Sequence, residues 1–338
     1  MMRVIFGALK EFNDDAMLMA RQMGAEGIHF NTPPIPGEKT WDLEGLNWLK
    51  AYAARFDLRL EAIENVPIRF YDKVMLGLPG RDEQIANYQN IIRNMGKAGI
   101  PILGHHFCPN WAWRTTLKAT GRGGANVAAY DKARESDGNA YVYPYITDAE
   151  FPAREVLWEN YLYFMKAVLP VAEASGVRLM AHPSDPPLPE VDGKARILVS
   201  MEDFQRADAA TSSDAWAINL CLGCFSQIGG EAKVLEAIRY WGERKKIALV
   251  HFRDVQGCGE KFQECFLGEG NYNPAKVLLA LKQVGYDGCI MDDHVPYTVN
   301  ATRWGHLGRA HETGYIQGML KMLDFWQDSV SEAGETNA

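Results

Sequence analysis

Four apolar runs of the chain end on side chains that can bind a metal ion or transfer a proton. These runs share a β-type composition and cover residues 178–182, 216–221, 247–251 and 289–296. The last run contains Asp293 and His294, so that a carboxylate and an imidazole stand side by side. Burying an unpaired charged side chain costs much free energy. A buried strand that ends in charged side chains therefore indicates a binding site.

The final residues of these runs form one candidate metal site. If the four strands are parallel neighbours, the side chains that converge at one end of the sheet are His182, Cys221, His251 and Asp293. Two imidazoles, a thiolate and a carboxylate suit divalent Mn, Fe, Co or Zn, and softness alone favours zinc. A single histidine at a strand end is more often a hydrogen-bonded core residue, but ligand-type residues at four successive strand ends favour metal binding.

Two motifs adjoin this candidate site. In His182-Pro-Ser-Asp-Pro-Pro187 the prolines stiffen the loop after the histidine, and Asp185 could orient the imidazole as a hydrogen-bond acceptor. Cys221-Leu-Gly-Cys224 has the spacing of a redox or zinc motif. If the strand continues to Cys221, both thiols cannot reach the site, so we predict that Cys224 is a packed thiol.

Polar side chains near other strand ends are candidates for substrate binding. His105 and His106 alternate across one strand, so only one of them can face the interior of a barrel. Arg114, in an aromatic segment, is the natural partner for a substrate carboxylate, and the alternative is a surface ion pair. We predict that Glu64, His106 and Arg114 contact the substrate.

The strand ends belong to a regular alternation of β and α patterns. Eight short apolar runs, each followed by helical periodicity, predict a closed (β/α)8 barrel, or TIM barrel, as a single domain over residues 1–328. Residues 109–148 are too long for a simple connector, so we predict an insertion after strand 4 that forms a lid or wall of the site. A shorter insertion covers residues 256–273, and residues 329–338 are expected to form a flexible tail.

Composition and charge restrict the class of partner. The 338 residues are 47% apolar and 23% charged, as is typical of a soluble globular protein. A formal net charge of -8 argues against nucleic-acid binding, which needs a basic face. The sequence has no recognisable signal peptide and no run of membrane-spanning length, and its six cysteines fit reduced thiols. We therefore expect a cytoplasmic enzyme that acts on a small molecule, without membrane or nucleic-acid partners.

The ordered set of motifs resembles the mannonate dehydratases, a family of xylose-isomerase-like TIM barrels, over nearly the whole chain. The matching segments are Glu64-Asn-Val-Pro67, Leu76-Gly-Leu-Pro79, Arg81-Asp82, Asn87-Tyr88, Ile92-Arg93-Asn94, Lys97-Ala-Gly-Ile100, Phe107, Pro109, Trp113-Arg-Thr115, His182-Pro-Ser-Asp-Pro-Pro187, Cys221, His251-Phe-Arg253, Gly285-Tyr-Asp-Gly288, Asp293-His294 and Tyr315-Ile-Gln-Gly318. Any single segment is a weak signal, whereas the ordered set is specific.

The resemblance implies a lyase that dehydrates a sugar acid, D-mannonate, to 2-keto-3-deoxy-D-gluconate. It implies a divalent metal, usually manganese, in place of the zinc that softness favours, and Fe, Co or Zn stay open. By resemblance the metal ligands are His182, Cys221, His251 and Asp293, and the catalytic residue is His294. The tyrosine that the family carries after its Asp-His pair has no clear counterpart, which leaves Tyr297 and His306 as candidates for the second proton donor.

Other functions stay open on the same barrel. A sugar isomerase or epimerase often uses a carboxylate-rich ligand set, to which a cysteine is less suited. A metal-dependent hydrolase would hold a water molecule over a scissile bond. A sugar-acid-binding barrel that has lost catalysis is the alternative outside enzymes, given the missing tyrosine. The sequence does not fix the oligomeric state, and a homo-oligomer is compatible with it.

Overall fold

The computed structural model describes residues 1–10, 12–141 and 150–335, with side chains up to residue 326. In chain order the strands of this part are β1 (Arg3–Leu9), β2 (Gly27–Asn31), β3 (Arg59–Glu64), β4 (Ile102–His105), β5 (Thr116–Thr120), β6 (Asn126–Asp131), β7 (Arg178–Ala181), β8 (Glu190–Val191), β9 (Lys194–Ala195), β10 (Trp216–Cys221), β11 (Ile247–His251), β12 (Val255–Cys258), β13 (Lys261–Glu264) and β14 (Cys289–Met291). The α-helices are α1 (Asp14–Gln22), α2 (Leu43–Ala54), α3 (Asp72–Leu76), α4 (Arg81–Ala98), α5 (Arg154–Ser175), α6 (Met201–Thr211), α7 (Leu222–Glu243), α8 (Pro274–Gln283) and α9 (His306–Glu335). Short 3-10 helices lie at Ile68–Phe70, Arg122–Gly124 and Lys132–Asp137.

Eight of these strands close into a parallel barrel in the order β1-β14-β11-β10-β7-β4-β3-β2, which confirms the predicted fold. The register pairs Cys221 with His251, and His251 with Met291, so the ends of β10, β11 and β14 lie level. All residues of these three strands are buried, as expected for parallel strands that are covered on both faces. The strand ends that carry ligand-type residues therefore meet at one edge of the barrel.

The helix boundaries follow local capping rules. Asn13 accepts a hydrogen bond from the backbone N–H of Ala16 at 2.8 Å, which satisfies a free donor at the start of α1. Gly99 and Gly176 follow α4 and α5 with φ angles of 70° and 64°. This left-handed conformation suits glycine, so it ends each helix and turns the chain toward the next barrel strand.

Helix α7 follows β10 directly and is interrupted within its length. It begins at Leu222, directly after Cys221, and its backbone is non-helical at Gly229 and Gly230. The φ of Gly230 is 65°, a value that glycine adopts without a clash of a side chain. The chain therefore turns sharply after Cys221, and Cys224 lies in the first turn of the helix.

Helix α9 is the C-terminal helix of the described residues. It begins at His306 and its backbone continues to Glu335, into the segment for which we predicted a flexible tail. Residues 336–338 of that segment lie outside the described residues. Among the helices of the described residues, none is both long and apolar enough to cross a membrane.

The two predicted insertions join in one antiparallel sheet. Strands β5 and β6 belong to the first insertion, and β12 and β13 lie after the seventh barrel strand. Together they form a four-stranded sheet in the order β12-β13-β6-β5, here called the cap sheet. Backbone hydrogen bonds between Asn126 and Tyr297 join the cap sheet to the loop after β14. Residues 142–149 of the first insertion lie outside the described residues, and its role as a lid or wall stays a prediction.

Candidate active site

The four residues predicted as metal ligands lie together at the mouth of the barrel. One ligand atom each from His182, Cys221 and His251 lies within 4.8 Å of the other two. The Oδ2 atom of Asp293 lies 3.6 Å from Nδ1 of His251. All four side chains are nearly inaccessible to solvent. The register of the barrel strands, which sets the ends of β10, β11 and β14 at one level, accounts for this convergence.

The ring nitrogens of the two histidines suit a cation. Nδ1 of His182 donates to the backbone oxygen of Pro183 at 2.7 Å, which leaves Nε2 with its lone pair. Nδ1 of His251 is buried and has no hydrogen-bond partner among the described residues. An orphaned nitrogen in a core costs free energy, and a divalent cation held by these donors removes that cost. The residues present therefore fit a divalent metal.

The thiol of Cys221 has the electrostatic surroundings of a thiolate ligand. Burial alone raises the pKa of Cys221, but the Cys224 thiol, the Arg253 guanidinium and the nearby imidazoles lower it by more than burial raises it, so the net pKa lies well below the ordinary value. Cys224 is buried, and its sulfur accepts a hydrogen bond from Nη2 of Arg253 at 3.4 Å. Cys224 is close enough to Cys221 to act on the pKa of that thiol, and it is buried, as predicted for a packed thiol.

Glu64 is surrounded by imidazoles. Its Oε1 accepts from Nε2 of His106 at 2.7 Å, and its Oε2 lies 3.2 Å from Nε2 of both His29 and His251. Burial raises the pKa of Glu64, but the imidazoles lower it more, which holds it well below its ordinary value. The side-chain nitrogen of Asn219 lies at hydrogen-bond distance, 2.8 Å, from Nε2 of His251 and so orients the ring. Glu64 acts on His251 through its charge, and its contact with the substrate stays a prediction.

Of the two adjacent histidines at the end of β4, His105 and His106, the second reaches the site. Its ring stacks on that of His182 with centroids 4.0 Å apart, and on Trp111 at 5.4 Å. The ring of His105 points elsewhere, with Nε2 3.5 Å from the hydroxyl of Tyr161. Only one of the two histidines therefore faces the barrel interior, as predicted from the alternation of side chains along a strand. Substrate contact by His106 stays a prediction.

His294 is held by a residue that the sequence analysis missed. Its Nδ1 lies 2.6 Å from Oε1 of Glu264, at the end of β13 in the cap sheet. Nη1 of Arg253 lies 3.2 Å from the same nitrogen and 3.3 Å from Oδ2 of Asp293. The position of Arg253, two residues after a ligand-type strand end, was a usable signal. Glu264 lies in the shorter insertion, and no pattern in the sequence of that insertion indicates that it pairs with β6.

Arg114 does not occupy the predicted position. Its guanidinium is inaccessible to solvent and donates to both carboxylate oxygens of Asp185, at 2.9 and 2.7 Å, and to Oε1 of Glu264 at 2.9 Å. It is absent from the residues that line the cavity described below. Arg114 is therefore neither a surface ion pair nor placed to meet a substrate carboxylate. Asp185 is committed to Arg114 and to Arg253, so the backbone of Pro183, and not Asp185, orients His182.

A cavity of about 780 Å³ opens above these residues. Its walls include His106, His182, Asp293 and His294, and also residues of the cap sheet. Tyr297 lines this cavity, and its hydroxyl donates to the backbone oxygen of Arg303 at 3.0 Å.

His306 is absent from the lining of this cavity. Its Nδ1 accepts from the backbone N–H of Thr302 at 3.0 Å, at the start of α9. Of the two candidates for second proton donor, only Tyr297 borders the cavity. The structure gives no support to His306 in that role.

Comparison with known families agrees with this arrangement. The sequence model of D-mannonate dehydratase (UxuA) matches residues 5–153 and 149–329. The chain belongs to the D-mannonate dehydratase family. A mannonate dehydratase of Thermotoga neapolitana is 32% identical to it, with 96% of this chain and 97% of that protein covered. Another, of Shouchella clausii, is 29% identical, with 87% and 88% covered. The chain is thus an enzyme of the hydro-lyase class.

Solved structures support the same family. The crystal structure of mannonate dehydratase from Streptococcus suis serotype 2 matches with a TM-score of 0.80 at 28% identity, and 94% of each chain is covered. The structure of L-ribulose 3-epimerase matches with a TM-score of 0.60 at 16% identity, with 98% of each chain covered. The epimerase likeness shows a shared barrel fold only. The family predicted from the motifs is confirmed.

Proposed function

We propose that this enzyme removes water from D-mannonate to give 2-keto-3-deoxy-D-gluconate. The observation that carries the proposal is the position of His294 beside Asp293, in a cavity that His182 and His251 also line, with the sulfur of Cys221 within 4.8 Å of a ring nitrogen of each histidine. Loss of the C2 proton next to a carboxylate needs both a base and a group that stabilises the developing negative charge. In this proposal His294 is the base, and a cation held by the four donor residues stabilises the negative charge.

The proposed ligands are His182, Cys221, His251 and Asp293, and the proposed metal is Mn²⁺, with Fe²⁺, Co²⁺ or Zn²⁺ as alternatives. When bound, the ion supplies a Lewis acid that stabilises negative charge on the substrate carboxylate. Mn²⁺ follows from the family resemblance, whereas the thiolate is the softest donor of the set and favours Zn²⁺.

The protein side chains carry the proton transfers in this proposal. His294 takes the C2 proton on Nε2, while Glu264 holds the ring through Nδ1 at 2.6 Å. The C3–O bond breaks, and Tyr297 protonates the leaving hydroxyl, which departs as water. The remaining enol loses its O–H proton to the Tyr297 oxygen and takes up a proton at C3 from His294, which gives the 2-keto acid and restores both side chains.

A panel of aldonates tests the proposal. Purified protein is loaded separately with Mn²⁺, Fe²⁺, Co²⁺ and Zn²⁺, incubated with each aldonate, and assayed for 2-keto-3-deoxy acids. We expect D-mannonate to be converted most efficiently, and the Mn²⁺ form to be the most active. A product that is an isomerised or epimerised sugar would favour the epimerase alternative, and tight binding without turnover would favour a sugar-acid-binding protein.

The cellular setting belongs to the same proposal. All six cysteines are unpaired, and five of them are buried, as in proteins of a reducing compartment. We propose a cytoplasmic enzyme that acts on a free sugar acid.

A further inference from the structure

We infer that Lys10 binds the carboxylate of the substrate. This inference rests on the proposed function, because it concerns how the same cavity recognises a sugar acid. Lys10 directly follows β1, and β1 pairs with β14, the strand that leads to Asp293 and His294. The side chain of Lys10 lines the cavity and is exposed within it. An ammonium group thus lines the same cavity as the proposed catalytic residues His294 and Tyr297.

Three arginines near the metal site, namely Arg114, Arg253 and Arg309, are already paired with carboxylates. Nη1 of Arg253 donates to Asp185 at 2.9 Å and lies 3.3 Å from Asp293. Arg309 donates to Asp292 and to the backbone oxygens of Gly7 and Trp304.

Arg114, the residue first expected to meet the carboxylate, is enclosed by Asp185 and Glu264. A substrate anion would have to break a buried ion pair to reach any of these guanidinium groups, which is costly. These arginines are therefore unsuited to substrate binding.

Lys10 is in a different position. Within the described part of the chain its ammonium makes no hydrogen bond or ion pair, yet it lies close enough to Asp293, Glu64 and Arg309 for their charges to act on its pKa. Although the side chain of Lys10 is open to the cavity, the protein around it removes part of its hydration; this is the largest effect and lowers its pKa, while the two carboxylates raise it. A bound carboxylate would compensate for that loss of hydration. The charge of Lys10 is thus available to an anion in the cavity.

A second lysine provides a matched comparison. Lys118 also lines the cavity, but it lies on β5 of the cap sheet and is exposed. The charges that act on Lys10 belong to the barrel mouth, on the side of the metal ligands. A substrate carboxylate that lies near the proposed metal site is therefore in the region that Lys10 occupies, whereas Lys118 approaches the cavity from the cap sheet. Comparing the two lysines therefore distinguishes a specific contact between Lys10 and the substrate carboxylate from a general attraction of the anion to positive charge in the cavity.

The test measures binding of a charged and a neutral ligand by calorimetry. Mn²⁺-loaded protein with His294→Asn, which suppresses turnover, is titrated with D-mannonate and with D-mannitol. Adding Lys10→Met should weaken D-mannonate about 10- to 100-fold, the range for a hydrogen bond to a charged group, and leave D-mannitol binding unchanged. Lys10→Arg should retain most of the D-mannonate affinity, and Lys118→Met should leave it unchanged.

Three results would overturn the inference. They are unchanged D-mannonate affinity in Lys10→Met, equal weakening of D-mannitol, and an equal loss of D-mannonate affinity in Lys118→Met. Metal content and the melting temperature check that each variant is folded, and Lys10→Gln replaces Lys10→Met if the latter does not fold. If the unmodified enzyme binds D-mannonate through Lys10 but does not dehydrate it, the proposed function fails while this inference holds.

Discussion

The carboxylate of Glu264 lies 2.6 Å from Nδ1 of His294, across 30 residues of sequence. Burial alone raises the pKa of Glu264, but His294 and Arg114 lower it more, so the net pKa lies below its ordinary value. An ionised Glu264 accepts the proton of Nδ1 and leaves Nε2 as the nitrogen that can transfer a proton. The cap sheet therefore contributes directly to the orientation of the proposed base.

Replacing His294 by asparagine removes proton transfer and leaves the proposed metal ligands intact. We expect kcat to fall by about 10²- to 10⁴-fold, the usual scale for a lost general acid or base. Metal content per chain, measured by mass spectrometry, should stay the same. His311→Asn, on the exposed side of α9, is the matched control and should change neither quantity. A loss of metal in parallel with activity would instead make His294 a ligand.

The barrel was predictable because parallel strands buried on both faces appear in sequence as short, continuous apolar runs. The cap sheet was not predictable in the same way. Strands β6 and β13 pair although they belong to insertions that are far apart in sequence, and nothing in either segment indicates its partner. The long first insertion was recognised by its length alone, which gives no information on its fold.

The convergence of the candidate ligands was predictable for a related reason. Parallel register places the ends of neighbouring strands at one level, so His182, Cys221 and His251 had to meet once the barrel was assumed. Arg114 could not be placed by this reasoning. Its partners, Asp185 and Glu264, come from two different loops, and sequence spacing does not show that both converge on one guanidinium.

Replacing Cys221 by serine should weaken metal binding. A hydroxyl is a poorer ligand than a thiolate, and we expect affinity for Mn²⁺ to fall by at least about 10- to 100-fold, the loss caused even by removing outer partners of metal ligands. Added Mn²⁺ should then raise the melting temperature of the variant less than that of the unmodified protein. Cys258→Ser, at an exposed cysteine, is the control. Equal stabilisation of both variants by metal would exclude Cys221 as a ligand.

Replacing Arg114 by methionine should destabilise the fold. The change leaves Asp185 and Glu264 buried with one cation fewer, and breaking such a pair costs about 3–5 kcal/mol. Urea denaturation measures the free energy of unfolding. The matched control is Arg122→Gln, which breaks the exposed pair of Arg122 with Glu269 and should cost less than about 1 kcal/mol. Unchanged stability together with a raised KM would return Arg114 to the substrate-binding role first predicted.

Stability of the metal-free protein should decrease in acid partly through Asp185. Burial raises the pKa of this carboxyl, but Arg114 and Arg253 lower it more, and the net value lies well below the ordinary one. Because the folded pKa is lower than the unfolded value of about 3.9, the ionised carboxylate stabilises the fold above about pH 4, and this contribution is lost as the pH falls toward the folded pKa.

The difference between unmodified protein and Asp185→Asn isolates this contribution from those of other buried carboxylates. Urea denaturation in the presence of EDTA, over a pH series from neutral to acid, gives the free energy of unfolding of both proteins. The difference should be largest at neutral pH and should shrink below about pH 4, because protonation removes the same charge that the substitution removes. A difference that stays constant across the series would mean that Asp185 stabilises the fold through hydrogen bonding that does not depend on its charge.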